Sequence, residues 1–141
     1  MSPALNTRVL IVDDNREAAD LLSELLTLHG YTTSTAYDGF MALEAALSFE
    51  PQIIILDLGM PRYSGSEVAP MLRQVSKLED VYIIALTAWG DSESRALTSR
   101  TGFNLHLTKS VKMPELFAAL ETGREAQARA ARARGAAAHQ A

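Results

Sequence analysis

The sequence predicts an α/β fold: a doubly wound, five-stranded parallel sheet in the order 2-1-3-4-5, with helices on both faces. Two observations carry the fold class and the edge strands, and the order is one of the common doubly wound orders that puts those strands at the edges. Five short apolar or β-branched runs alternate with five helix-period segments, a pattern that requires parallel strands joined by right-handed crossovers. The first, third and fourth runs are apolar, whereas the second is mostly polar and the fifth alternates, which places the last two at the sheet edges. A chain of 141 residues suits one such domain.

The first strand is Arg8 to Val12, rich in branched apolar residues. Residues 15 to 29 follow with Ala18, Leu21, Leu22, Leu25 and Leu26 at helical spacing, and Gly30 stops that helix. Tyr31 to Ala36 is the polar second strand, and Asp38-Gly39 opens a helix to about Ser48. Pro51 punctuates before Ile53 to Leu56, a strand buried on both faces. A third helix is expected at about 66 to 77, a strand at Val81 to Leu86 and a fourth helix at about 91 to 100. Asn104 to Thr108 puts Leu105 and Leu107 on one face and His106 and Thr108 on the other. A fifth helix begins near Pro114. The expected organisation is a lead at 1–7, a domain at 8–122 and an Ala/Arg-rich tail at 123–141, frayed or disordered because Gly123 and Gly135 interrupt it.

Composition narrows the function. The chain has no cysteine, so thiolate metal sites, disulfides and cysteine nucleophiles are excluded. No apolar run reaches the ~20 residues that cross a bilayer and the N-terminus lacks signal-peptide character, so a cytoplasmic location away from membranes is expected. The net charge of −4 is unevenly spread: residues 124–141 hold four arginines against one acid. An acidic body argues against broad nucleic-acid binding.

In an open α/β sheet, ligands bind beyond the carboxyl ends of the strands. Asp13-Asp14 ends the first strand, Asp57 the third, Thr87 the fourth and Lys109 the fifth. Carboxylates crowded at one rim repel unless a hard cation sits among them, and Mg²⁺ takes oxygen ligands. Asp14, Asp57 and the Gly59 backbone carbonyl are candidate direct ligands, with Asp13 acting through water. Lys109, Thr87 and backbone N–H groups, that of Ala88 among them, would hold phosphoryl oxygens. Asp57 would be the nucleophile. Taken singly, these residues have plainer readings: Asp13-Asp14 suits a helix N-terminus, Thr87 a turn and Lys109 a solvated surface.

Residues 8 to 122 resemble the response-regulator receiver domain of two-component signalling, which is flavodoxin-like. The matching text is Val9-Leu10-Ile11-Val12-Asp13-Asp14-Asn15, Ala36-Tyr37-Asp38-Gly39, Ile53-Ile54-Ile55-Leu56-Asp57-Leu58-Gly59-Met60-Pro61, Ile84-Ala85-Leu86-Thr87-Ala88 and Lys109. The resemblance implies phosphorylation of Asp57 by a sensor histidine kinase or a histidine phosphotransfer protein, with Mg²⁺ on Asp13 and Asp14. It also implies a switch in which Thr87 moves toward the phosphoryl group and the ring three before the lysine, here His106, turns inward. His106 equally fits an edge residue with no such role. The sequence departs from the family pattern at Ser110, where proline usually follows the lysine and the bond before it is cis. Gln52 stands where aspartate is common. Segment 102 to 109 looks like receivers attached to hybrid sensor kinases.

Rival readings lack their own requirements. A dehalogenase-type phosphatase needs an acid two residues after the nucleophile, where Gly59 stands, and a flavodoxin needs a hydroxyl- and glycine-rich phosphate loop after the first strand. A receiver reduced to docking would lack part of the five-residue set. No helix-turn-helix pattern occupies the last 19 residues, so the chain is expected to be either a stand-alone regulator acting by protein contact or a receiver from a larger sensor kinase, with the face of the fourth helix, fifth strand and fifth helix as its docking surface.

Overall fold

A computed structural model describes residues 6–60, 65–87 and 102–140. It contains β1 (Arg8–Val12), α1 (Arg16–Leu28), β2 (Thr32–Ala36), α2 (Gly39–Phe49), β3 (Ile53–Asp57), α3 (Gly65–Arg73), a 3₁₀ turn (Ser76–Leu78), β4 (Tyr82–Thr87), β5 (Leu105–Thr108) and α4 (Met113–Gln140). α4 is the helix that the sequence places fifth. The helix expected at 91 to 100, with Ala88, lies outside the described residues.

All five strands pair in parallel, in the predicted order β2-β1-β3-β4-β5. The edge assignment holds for the expected reason: β3 is buried at every position, whereas β2 and β5 are mostly half-covered. Alternate side chains feed two cores. Leu10, Val12, Ile54, Leu56 and Ile83 pack with Ala42, Ala46, Val68 and Leu72 of α2 and α3. Val9, Ile11, Ile53, Ile55 and Ile84 pack with Ala19 and Leu26 of α1 and Leu116 and Leu120 of α4. Burying a branched side chain of this size is worth about 1.5–3 kcal/mol.

Local chemistry sets the helix ends. The Asn15 side chain accepts from the Ala18 N–H at 3.1 Å, and Asp38 accepts from the Met41 N–H at 2.7 Å, each satisfying a donor that helix geometry leaves open. α1 ends with Gly30 at φ +96°, its N–H on the Thr27 carbonyl and that of Tyr31 on Leu26, a closure that favours glycine. The third helix stops at Arg73, short of the expected Lys77, because the N–H groups of Gln74 and Val75 bond three residues back, to Met71 and Leu72.

The largest departure from expectation is at the C-terminus. α4 continues through Gly123 and Gly135 to Gln140 without interruption. Gly123 is not a break but a point of closest approach: a Cβ there would lie 2.7 Å from Tyr82 Cδ1 and 3.2 Å from Ile53 Cδ1. Gly123→Ala is therefore expected to destabilise by about 1–2 kcal/mol, overpacking outweighing the helix-propensity gain, as a lower urea midpoint would register. At Gly135 a Cβ meets nothing within 4 Å, so Gly135→Ala should instead raise helical ellipticity. His29 is exposed; its ring lies 4.4 Å from that of Phe117, with Nδ1 2.8 Å from the Leu25 carbonyl oxygen. His139 lies where side chains are not described.

Candidate functional site

The register of the sheet brings the candidate residues to one rim. Val12 is level with Leu56, Asp57 with Leu86 and Thr87 with Thr108, so Asp13, Asp57, Thr87 and Lys109 stand at successive strand ends. Backbone bonds run past the strand ends and hold them there: Asp13 N–H to Ala36, Leu58 N–H to Leu86 and Lys109 N–H to Thr87, at 2.7–3.1 Å. Parallel pairing needs no side chain for this, so the rim's geometry is fixed by the core beneath it.

Asp57 is buried, at 1% exposure. Its Oδ1 accepts the Gly59 N–H at 2.9 Å. Oδ2 is buried without a hydrogen bond; Lys109 Nζ stands 3.1 Å away, at ion-pair distance but outside hydrogen-bond geometry. Asp13 is nearly buried and accepts the Asn15 N–H at 3.0 Å, while Asp14 is exposed. Carboxylate oxygens of all three acids lie within 4.8 Å of one another. A buried carboxylate oxygen with unspent lone pairs facing two further carboxylates is a donor set suited to a hard divalent cation.

The electrostatics show the strain of that crowding. Burial and the charge of Asp57 push the Asp13 carboxyl above its ordinary value, only partly offset by the Asn15 N–H and Lys109. Burial pulls the Lys109 ammonium down, but Asp57, Asp13 and Asp14 outweigh it and hold the ammonium above its usual value. At neutral pH Lys109 is thus a fixed cation facing Asp57.

Thr87 is buried. His106 is half-buried on β5 opposite Ala85, two residues before Thr108, which pairs with Thr87, so His106 and Thr87 share one face of the sheet. The peptide between Lys109 and Ser110 is trans, in keeping with the missing proline. The chain also has features that the sequence did not disclose. A cavity of about 220 Å³ beside the rim is lined by Asp13, Ala18, Leu22, Lys109, Met113 and Leu116, among others. Its apolar wall joins α1 to α4, residues distant in sequence that no local pattern links. Gln52 ties β1 to β3, its Oε1 accepting the Arg8 N–H at 3.0 Å.

The response-regulator receiver-domain family model matches residues 9–121, most of the chain. The chain belongs to that family. It is 36% identical over 114 residues to "Response regulator MprA" of Mycobacterium ulcerans, covering 81% of this chain and 48% of that protein. It is 32% identical over 111 residues to the "DNA-binding dual master transcriptional regulator RpaA" of Synechocystis, covering 79% and 46%. The receiver thus spans about half the length of the curated relatives it matches. Among solved structures, the chemotaxis protein CheY4 of Vibrio cholerae superposes with a TM-score of 0.79 at 29% identity, covering 83% of this chain and 98% of that one. TrrA of Thermotoga maritima, in complex with Mg²⁺-BeF, gives 0.72 at 36% identity, covering 83% and 98%. As a receiver domain the chain is a signalling component of a two-component system, and none of its described helices is long and apolar enough to cross a membrane.

Proposed function

We propose that this receiver is a phosphoryl-accepting switch, phosphorylated on Asp57 by a sensor histidine kinase or a histidine phosphotransfer protein. The observation that carries the reading is the meeting of three carboxylates within 4.8 Å at one rim, with Lys109 Nζ 3.1 Å from the buried one. In the transfer, the bond from the donor imidazole nitrogen to phosphorus breaks and one from an Asp57 oxygen to phosphorus forms. The imidazole leaves with the nitrogen lone pair and takes a proton from solvent. Asp14, Asp57 and the Gly59 carbonyl, with Asp13 through water, would hold Mg²⁺, which would supply positive charge against the phosphoryl oxygens. Lys109 neutralises a second oxygen, and the Thr87 hydroxyl with the Ala88 N–H serves a third. The Gly59 N–H orients Asp57 by holding Oδ1. The reaction is stoichiometric, Asp57 being consumed until slow hydrolysis restores it, so the chain is a switch rather than an enzyme.

The output is altered protein contact, with Thr87 and His106 reporting phosphorylation to the face that includes β5 and α4. Their shared sheet face supports that pairing. No nucleic-acid or membrane contact is part of the reading. Beryllofluoride mimics an acyl phosphate on a carboxylate, and the Mg²⁺-BeF complex of TrrA supports its use. Mg²⁺-dependent shifts of the Asp57, Thr87 and His106 amides are expected in two-dimensional NMR, and none in Asp57→Asn. Silence of the wild-type protein at saturating Mg²⁺ would leave a docking module without phosphoryl chemistry.

A further inference from the structure

α4 spans about 42 Å, at 1.5 Å per residue over its 28 residues. Its N-terminal turns pack on the sheet through Leu116, Ala119 and Leu120, and Gly123 makes the tight approach to Tyr82 at the opposite end of β4 from Thr87. Beyond that point the described side chains are small or polar. Ala126 packs against the core, the Gln127 amide donates to the Asp80 carbonyl, and the Arg134 guanidinium pairs with the Asp80 carboxylate. Between them lies a cleft of about 300 Å³ at the pole of the sheet away from the carboxylate rim, lined by Glu50, Lys77, Glu79, Asp80, Gln127 and Arg134, among others. Lys77 and Glu50 pair across its lining at 3.3 Å.

We propose that residues 124–134 form an ionic strap that closes this cleft, held by Asp80 and released by salt. An alanine-rich turn buries too little apolar surface to hold itself down, so attachment past Gln127 falls to the Arg134–Asp80 pair. That pair is half-exposed, with side chains 55% and 43% accessible, and exposed pairs hold weakly and are screened by salt. The strap therefore closes marginally. Opening it frees an acidic cleft, and Arg134 is the built-in occupant that a guanidinium on another segment would have to displace. This inference does not depend on the phosphoryl reading, because Asp80 and Arg134 lie outside the rim residues.

The test is amide hydrogen exchange by NMR on the full chain at about 50 mM and about 0.5 M salt. In Asp80→Asn and in Arg134→Ala, amides of residues 128–134 should exchange about two- to five-fold faster than in wild type, with Ala119 and Leu120 unchanged. High salt should reproduce the effect in wild type and add nothing in either variant, and the double variant should match the singles. Alanine is the better helix former, so faster exchange in Arg134→Ala cannot come from intrinsic helicity. Exchange indifferent to both substitutions, or a salt effect that survives Asp80→Asn, would overturn the strap.

Discussion

Replacing Arg73 by alanine is expected to remove about 3 kcal/mol or more of folding stability, read as a lower urea midpoint at an unchanged slope. Arg73 ends α3, and its guanidinium joins three segments. Nε and Nη2 donate to the Gly102 carbonyl at 3.1 and 2.7 Å, Nη1 to the carbonyls of Glu79 and Val81, and Nη2 also to Asn104 Oδ1. Asn104 Oδ1 in turn accepts the Ile83 N–H at 2.8 Å, so the network reaches β4 and the entry to β5. Burial pulls the guanidinium below its ordinary value, and the Asp80 charge offsets part of that. Truncation would take these donors from two part-buried carbonyl groups, those of Gly102 and Val81, the costly side of hydrogen-bond energetics. Gly102, at φ +94°, suits the same hub, since a Cβ there would press to 3.3 Å on Arg73 Cγ. Arg73→Lys should rescue little, because an ammonium lacks the planar fork that reaches all these acceptors at once. A midpoint within experimental error of wild type would show the hub to be dispensable.

Asp13→Asn should act in the opposite direction on stability while weakening ligand binding. Burial and the Asp57 charge raise the Asp13 carboxyl above its ordinary value. A carboxyl raised in the folded state destabilises the fold progressively as pH climbs from its unfolded value through its folded one. In EDTA the variant is therefore expected to be more stable at neutral pH, by about 1–2 kcal/mol as for stabilising substitutions generally, and to lose the pH dependence contributed by Asp13 in that acidic window. The amide can keep the bond from the Asn15 N–H. Added Mg²⁺ should raise the melting temperature of the wild-type protein by relieving the same repulsion, and raise that of the variant far less, with beryllofluoride binding weakened at least about ten-fold. Differential scanning calorimetry with and without Mg²⁺ checks both signs. Equal Mg²⁺ stabilisation of the two proteins would remove Asp13 from the cation site.

The residues that depend on strand ends were legible from the chain alone. Short, β-branched apolar runs bounded by turn residues read as strands, the polar pair as edges, and Asp13, Asp57, Thr87 and Lys109 then follow from where each run stops. Asp57 shows the limit of that reading. Its position at the end of β3 is a matter of sequence, but the unspent Oδ2 and the 3.1 Å approach of Lys109 arise only when β5, about 50 residues later, pairs with β4.

What the sequence alone determined was which strands lie at the edges, the burial on both faces of the sheet and the identity of the rim residues, because each rests on the period of hydrophobicity or on an element's end. The order of the central strands follows the topology common to doubly wound sheets. The tertiary structure decided the rest. Gly123 looks like a helix breaker in isolation, yet α4 runs through it because the body of the sheet leaves room only for a hydrogen there. Arg73 and Arg134 look like solvated charges until Gly102, Asn104 and Asp80 are brought beside them. Local pattern reports what a residue does to its own element. Whether a glycine breaks a helix or seats it, and whether an arginine is solvated or bonded, is set by what the fold places within a few ångströms of it, which no local pattern records.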